Sequence, residues 1–152
     1  PKTRRRHSPL PDFPDICLRA WRQFVASATA EQVEIIDGYA LQNTVRYLFA
    51  NRVERSAIED YFDAWQAIAH GNSAMIFFPV ETPDAHFARL LPVRGAEWTS
   101  KLFAYIARTP LGQHEGLAGR SGFIRFWAEY QDLCMTLLQR SQIPVWQIGA
   151  RC

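Results

Sequence analysis

"VEIIDGYALQN", residues 33 to 43, decides how the chain is read. Val33 to Asp37 is short, β-branched and largely apolar, so it reads as a strand. Gly38 follows as a turn, and a helix-forming run opens around the amide pair Gln42 and Asn43. In open α/β sheets ligands gather at the carboxyl ends of strands. A carboxylate at that place has two readings. Asp37 caps the helix after the turn by accepting a backbone N–H. Alternatively it orients a Mg²⁺ shell or activates a substrate hydroxyl, with Gln42 and Asn43 about one helical turn on touching the same ligand.

Upstream, Pro11 to about Ala28 has apolar residues at three- and four-residue steps (Cys17, Ala20, Trp21, Phe24, Val25), the pattern of a helix. Asp12 or Asp15 is the expected cap. Downstream, "LQNTVRYLFANR" is helical. A second amphipathic helix follows from Ser56, the expected N-cap with Glu59 at capping-box spacing, to a stop at Gly71. "SAMIFFPV" is continuously apolar, so Ala74 to Phe78 is expected as a strand covered on both faces. Helices are expected over Thr82–Leu91 and Ala96–Arg108. A glycine-rich loop is expected from Thr109 to Gly122, a long helix from Phe123 to Arg140, and a third strand over Val145–Ile148.

Strands separated by helices predict an α/β domain: a three-layer parallel sheet flanked by helices, helix-rich and incomplete, over residues 11–152. Residues 1–10 carry Lys2, Arg4, Arg5 and Arg6 between prolines, and are expected as a flexible basic arm or loop; a phosphate- or nucleic-acid-binding arm is the alternative.

The 152 residues are 48% hydrophobic and 13% aromatic, ample for one packed core. A formal net charge of +2 gives no strong attraction to nucleic acid or membrane. No apolar run is long enough to span a bilayer. Cys17, Cys134 and Cys152 form no CxxC and have no histidine at metal spacing, so no metal site is expected. Scattered thiols of odd number suggest the cytoplasm and buried cysteines. His7, His70, His86 and His114 share no ligand spacing.

Trp21-Arg22-Gln23-Phe24, then "VEIIDGYALQN", then "MIFFPVETPDAHFARLLPVRGAEW", then Gly116-Leu117-Ala118-Gly119 and Trp127 together resemble P-loop NTPases related to nucleotide kinases such as thymidylate kinase. The likeness spans roughly residues 15 to 148. It implies an ATP-dependent phosphotransferase using ATP and Mg²⁺ on a nucleotide-like or small hydroxyl substrate. It implies Asp37 and Arg94 as catalytic, and Gln42, Asn43 and Arg89 as substrate-binding. Arg94 and Arg89 would lie on a lid, where planar guanidinium groups match phosphate oxygens.

That family needs GxxxxGK[ST] to cradle phosphates. The only lysines here, Lys2 and Lys101, follow no such loop. The expectation is therefore a truncated domain, inactive without its P-loop, with a degenerate relative as the alternative. In the family the P-loop strand lies between those matching Val33–Asp37 and Ala74–Phe78. Without it the two must pair directly or leave a gap, exposing apolar surface that favours self-association. The rival expectation is a non-catalytic α-rich protein-interaction domain, with an apolar patch at the gap and no converging polar groups.

Overall fold

Helix α1 (Phe13–Ser27) forms where the apolar spacing places it and buries Cys17, Leu18 and Trp21. The structure is a computed structural model that describes residues 12–148 apart from 30, 32, 72, 80 and 81. The basic arm expected over 1–10, and Cys152, lie outside the described residues. Asp12 stands at the N-cap of α1 without a side-chain capping bond.

After Gly38 the chain enters a π-helical stretch, Tyr39–Val45, that runs into α2 (Arg46–Ala50). Helix α3 (Arg55–Ala69) buries Ile58, Tyr61, Phe62, Trp65 and Ala69 on one stripe. Its N-cap is Glu54 rather than Ser56. Glu59 does not close a capping box; its carboxylate accepts from Arg55 Nε at 3.0 Å and from Arg140 Nη1 at 2.7 Å. Strand β1 (Met75–Phe77) leads to α4 (Pro83–Arg108), where Thr82 Oγ1 caps by accepting from the Ala85 N–H at 3.2 Å. The expected pair of helices is present within α4. They meet at Gly95, whose φ of 79° breaks the helical path.

The expected glycine loop is mostly helical: α5 (Pro110–Glu115), then α6 (Gly119–Gln139). Here two glycines serve close packing. A Cβ on Gly112 would lie 1.9 Å from the Ile106 carbonyl oxygen, and one on Gly122 would lie 2.5 Å from the Leu117 carbonyl carbon. Thr109 fixes the turn, donating to the Ile106 carbonyl at 2.7 Å and accepting from the Gly112 N–H at 2.9 Å.

Helix α6 joins two cores. Its N-terminal half contributes Phe123 and Phe126 to a cluster with Phe87, Ile106 and Leu117. Its C-terminal half contributes Tyr130, Leu133, Cys134, Leu137 and Leu138 to a larger cluster with α1, the π-helical stretch and α3. Phe49 and Trp127 pack against both. After α6, buried Gln66 accepts the Gln142 N–H at 2.7 Å, which sets the path into β2 (Val145–Gln147).

β1 and β2 pair in parallel, with Met75 opposite Val145, Ile76 opposite Trp146 and Phe77 opposite Gln147. Bonds from the Met75 N–H to the Pro144 carbonyl, 2.8 Å, and from the Ile148 N–H to the Phe77 carbonyl, 2.9 Å, flank the pair. Parallel strands need a long crossover, and α4 to α6 supply it.

The three-layer parallel sheet is not found. Among the described residues the sheet has two short strands, and the rest of the architecture is helical. Val33–Asp37, expected as a strand, forms none, and Val33 and Ile35 are 91% and 93% exposed. A strand exists only through its ladder partners, and local β-branched character cannot supply them. Of the two outcomes expected for this stretch, direct pairing with β1 does not occur. Among the described residues no helix is long and apolar enough to cross a membrane.

Candidate functional site

The bend after Asp37 is built on Gly38, whose φ of 68° favours glycine. The Asn43 N–H donates to the Gly38 carbonyl at 2.8 Å, a bond five residues back that opens the π-helical turn. The Gln42 side chain folds over Gly38 so closely that a Cβ there would lie 2.7 Å from Gln42 Oε1. Gly38 and Gln42 therefore form one local unit next to Asp37. Asp37 does not cap the helix: Gly38 holds the N-cap position and no side chain bonds there. The exposed Asp37 carboxylate makes no hydrogen bond or ion pair with the described residues. Asn43 is also exposed.

The arginines expected to face Asp37 belong to the other core. Arg89 and Arg94 lie exposed on α4, which packs on α5 and α6, whereas the π-helical stretch packs on α2 and α3. The Arg94 guanidinium sits 5.8 Å from the centre of the Trp98 ring, just before the break at Gly95. No bond joins Arg89 or Arg94 to Asp37, Gln42 or Asn43 among the described residues. Lys101 pairs with Glu97 at 2.6 Å on the same helix.

Sequence reasoning passed over Arg46. It is the one described arginine that is not exposed. It opens α2 directly after the π-helical stretch that holds Gln42 and Asn43. Its guanidinium lies 6.0 Å from the centre of the Trp127 ring. The buried Nε of Arg46 and the buried indole N–H of Trp127 both lack an acceptor. Burial pushes the Tyr130 hydroxyl well up; the neighbouring Cys134 adds to this and Arg46 opposes it.

Two depressions lie elsewhere. One, of about 680 Å³, is lined by Asp84, Gly119, Arg120, Ser121 and Arg125. Its cations are already engaged: Arg120 with Asp84 at 2.8 Å, and Arg125 with Glu115 at 2.8 Å and Glu129 at 2.7 Å. The His114 and Arg125 hydrogen bonds hold the Glu115 carboxyl below its usual range. The second, of about 430 Å³, is lined by residues including Arg52, Glu54, Arg55, Glu129 and Asp132. Neither includes any residue expected to touch substrate.

The sheet offers a different surface. Met75, Phe77 and Val145 face inward and pack on the larger core. Ile76 and Trp146, opposite each other in the register, are 52% and 59% exposed, and Phe78 and Ile148 continue the same alternation outward.

Among the described residues no group of three His, Cys, Asp or Glu side chains able to hold a cation occurs, and the sequence has no Gly-Lys pair to end a phosphate-cradling loop. No family model, curated protein or solved structure matches the chain.

Proposed function

We propose that the chain is an α-rich interaction domain whose sheet receives an extended apolar segment of a partner protein. The observation that carries this reading is the Ile76–Trp146 pair on the open face of a two-stranded parallel sheet. Parallel sheets ordinarily have both faces covered and further strands beside them. Here one face rests on the core and the other presents four large apolar side chains. Among the described residues neither outer edge has a further strand beside it, and a bare edge offers backbone donors and acceptors. An added strand satisfies both demands: its main chain continues the ladder and its side chains cover the apolar row. Burying one such side chain contributes ~1.5–3 kcal/mol before the cost of association.

A photo-crosslinking amino acid at Trp146, compared with one at Arg22 on the exposed side of α1, tests this in the producing cell. The reading requires a discrete protein adduct from position 146 that position 22 does not give. Equal or no adducts from the two sites would remove it.

A second reading draws on the Asp37, Gly38 and Gln42 cluster, with Arg46 one turn on: the chain is part of an ATP-dependent phosphotransferase acting on a nucleotide-like or small hydroxyl substrate. The phosphate cradle would then come from another segment. This reading expects no tight binding of ATP with Mg²⁺ by the 152-residue chain in calorimetry. Tight binding would contradict the need for a supplied cradle.

A further inference from the structure

Arg52 is held in a conformation that its own side chain disfavours. Its φ is 56°, and among the described residues it is the one non-glycine residue with positive φ. The position closes α2. The Arg52 N–H donates to the Phe49 carbonyl at 3.0 Å, and the Val53 N–H donates to the Leu48 carbonyl at 3.1 Å. Helices that end in this way ordinarily carry glycine there, because a Cβ is strained at positive φ. An arginine in glycine's place points to a use for the side chain beyond the turn.

That side chain stands on the rim of the depression of about 430 Å³. The floor is apolar, made by Phe49, Val53, Ile58, Leu111 and Leu133. The charged lining divides in two. Arg55 is engaged with Glu59 at 3.0 Å, and Glu129 with Arg125 at 2.7 Å. Arg52, Glu54 and Asp132 are exposed, and their side chains make no hydrogen bond or ion pair with the described residues. Glu54 holds the N-cap position of α3, yet its carboxylate makes no capping bond. One free guanidinium and two free carboxylates therefore share an open, concave surface with an apolar floor.

We infer that this depression binds a free α-amino acid with a large apolar side chain. The guanidinium fork takes the α-carboxylate through both oxygens. An ammonium group has three N–H donors, and the Glu54 and Asp132 carboxylates supply acceptors for them. The apolar side chain leaves water for the floor. A rim carrying both signs discriminates against ligands that carry only one: a simple cation leaves Arg52 unmet, and a simple anion meets two carboxylates. The site shares no residue with the sheet face, so it goes beyond the interaction reading and stands or falls separately.

The test is titration of the isotope-labelled 152-residue chain with L-leucine, read by NMR at the amides of Val53, Leu111 and Leu133. Wild type gives saturable shifts. Arg52→Gly weakens binding about tenfold or more. That variant stays folded by circular dichroism, because glycine suits the positive φ. Asp132→Asn weakens binding about threefold or more. Isopentylamine, which lacks the carboxylate, and isocaproate, which lacks the ammonium, each bind at least about tenfold more weakly than leucine. No saturable shifts with leucine overturn the site, as does undiminished binding by Arg52→Gly. Isopentylamine binding as well as leucine overturns the zwitterion in favour of a plain cation. Equal binding of N-acetyl-leucine amide, which carries neither charge, assigns the floor to a protein segment and overturns the free amino acid.

Discussion

Ile76 and Trp146 stand opposite each other in a parallel register, 52% and 59% exposed, while their neighbours Met75 and Val145 pack on the core. One sheet thus has a structural face and an open apolar face. The two should answer differently to substitution.

Trp146→Glu should leave the fold nearly as stable as before, within about 0.5 kcal/mol, because the side chain already meets water. It should also reduce binding of a hydrophobic dye. Phe62→Ala, by contrast, empties a site with no exposure and should cost ~3–5 kcal/mol. Urea denaturation read by circular dichroism compares the two.

Gly112→Ala is expected to destabilise severely, by more than about 3 kcal/mol, since its Cβ would enter the Ile106 carbonyl and the turn held by Thr109 could not close. Gly38→Ala should cost ~1–2 kcal/mol for its positive φ and more for displacing Gln42. Thermal unfolding of both variants checks the order.

Gly112 and Gly122 show where the sequence was legible and where it was not. The helices α1, α3 and α6 were readable because their apolar stripes are local and periodic. The stretch 109–122 was not, because glycine read as a turn signal is here also a demand for close approach by Ile106 and Leu117, which no local pattern reveals. Val33–Asp37 carries strand character but lacks a ladder, and pairing is a non-local property. Asp37, Gln42 and Asn43 were found as neighbours along the chain. Their expected convergence with Arg94 required a sheet that does not form, and Arg46 was hidden because an unmet partner has no sequence signature.

Alkaline pH should unfold the protein. Burial raises Cys134 to about 12 from 9.0, with the Tyr130 hydroxyl partly opposing, and burial likewise raises Tyr39 and Tyr61. Groups whose folded pKa is raised contribute stability that is full below the unfolded value and lost as pH rises toward the folded one. Stability should therefore fall from about pH 9 upward, with ultraviolet tyrosinate absorbance appearing together with the loss of helix. At neutral pH native Cys134 should resist thiol reagents that label it in urea.

Acid should act in the opposite sense. The Arg55 hydrogen bond, then that of Arg140, holds Glu59 below its usual 4.5. That contribution is present above 4.5 and is lost as pH falls through the lowered value. Arg140→Ala, which also frees Asp63 at 3.1 Å, should shrink the acid-dependent change in midpoint urea concentration. An unchanged pH profile would show these exposed pairs to be inert.

The most direct test of the open two-stranded sheet is hydrogen exchange by NMR on the isolated chain. Amides of residues 33–37 should exchange almost as fast as in an unfolded peptide, while those of Phe126 and Leu137 should be strongly protected. Protection of Glu34 to Asp37 comparable to that of the helices would mean that this stretch is laddered in solution, and would contradict the account.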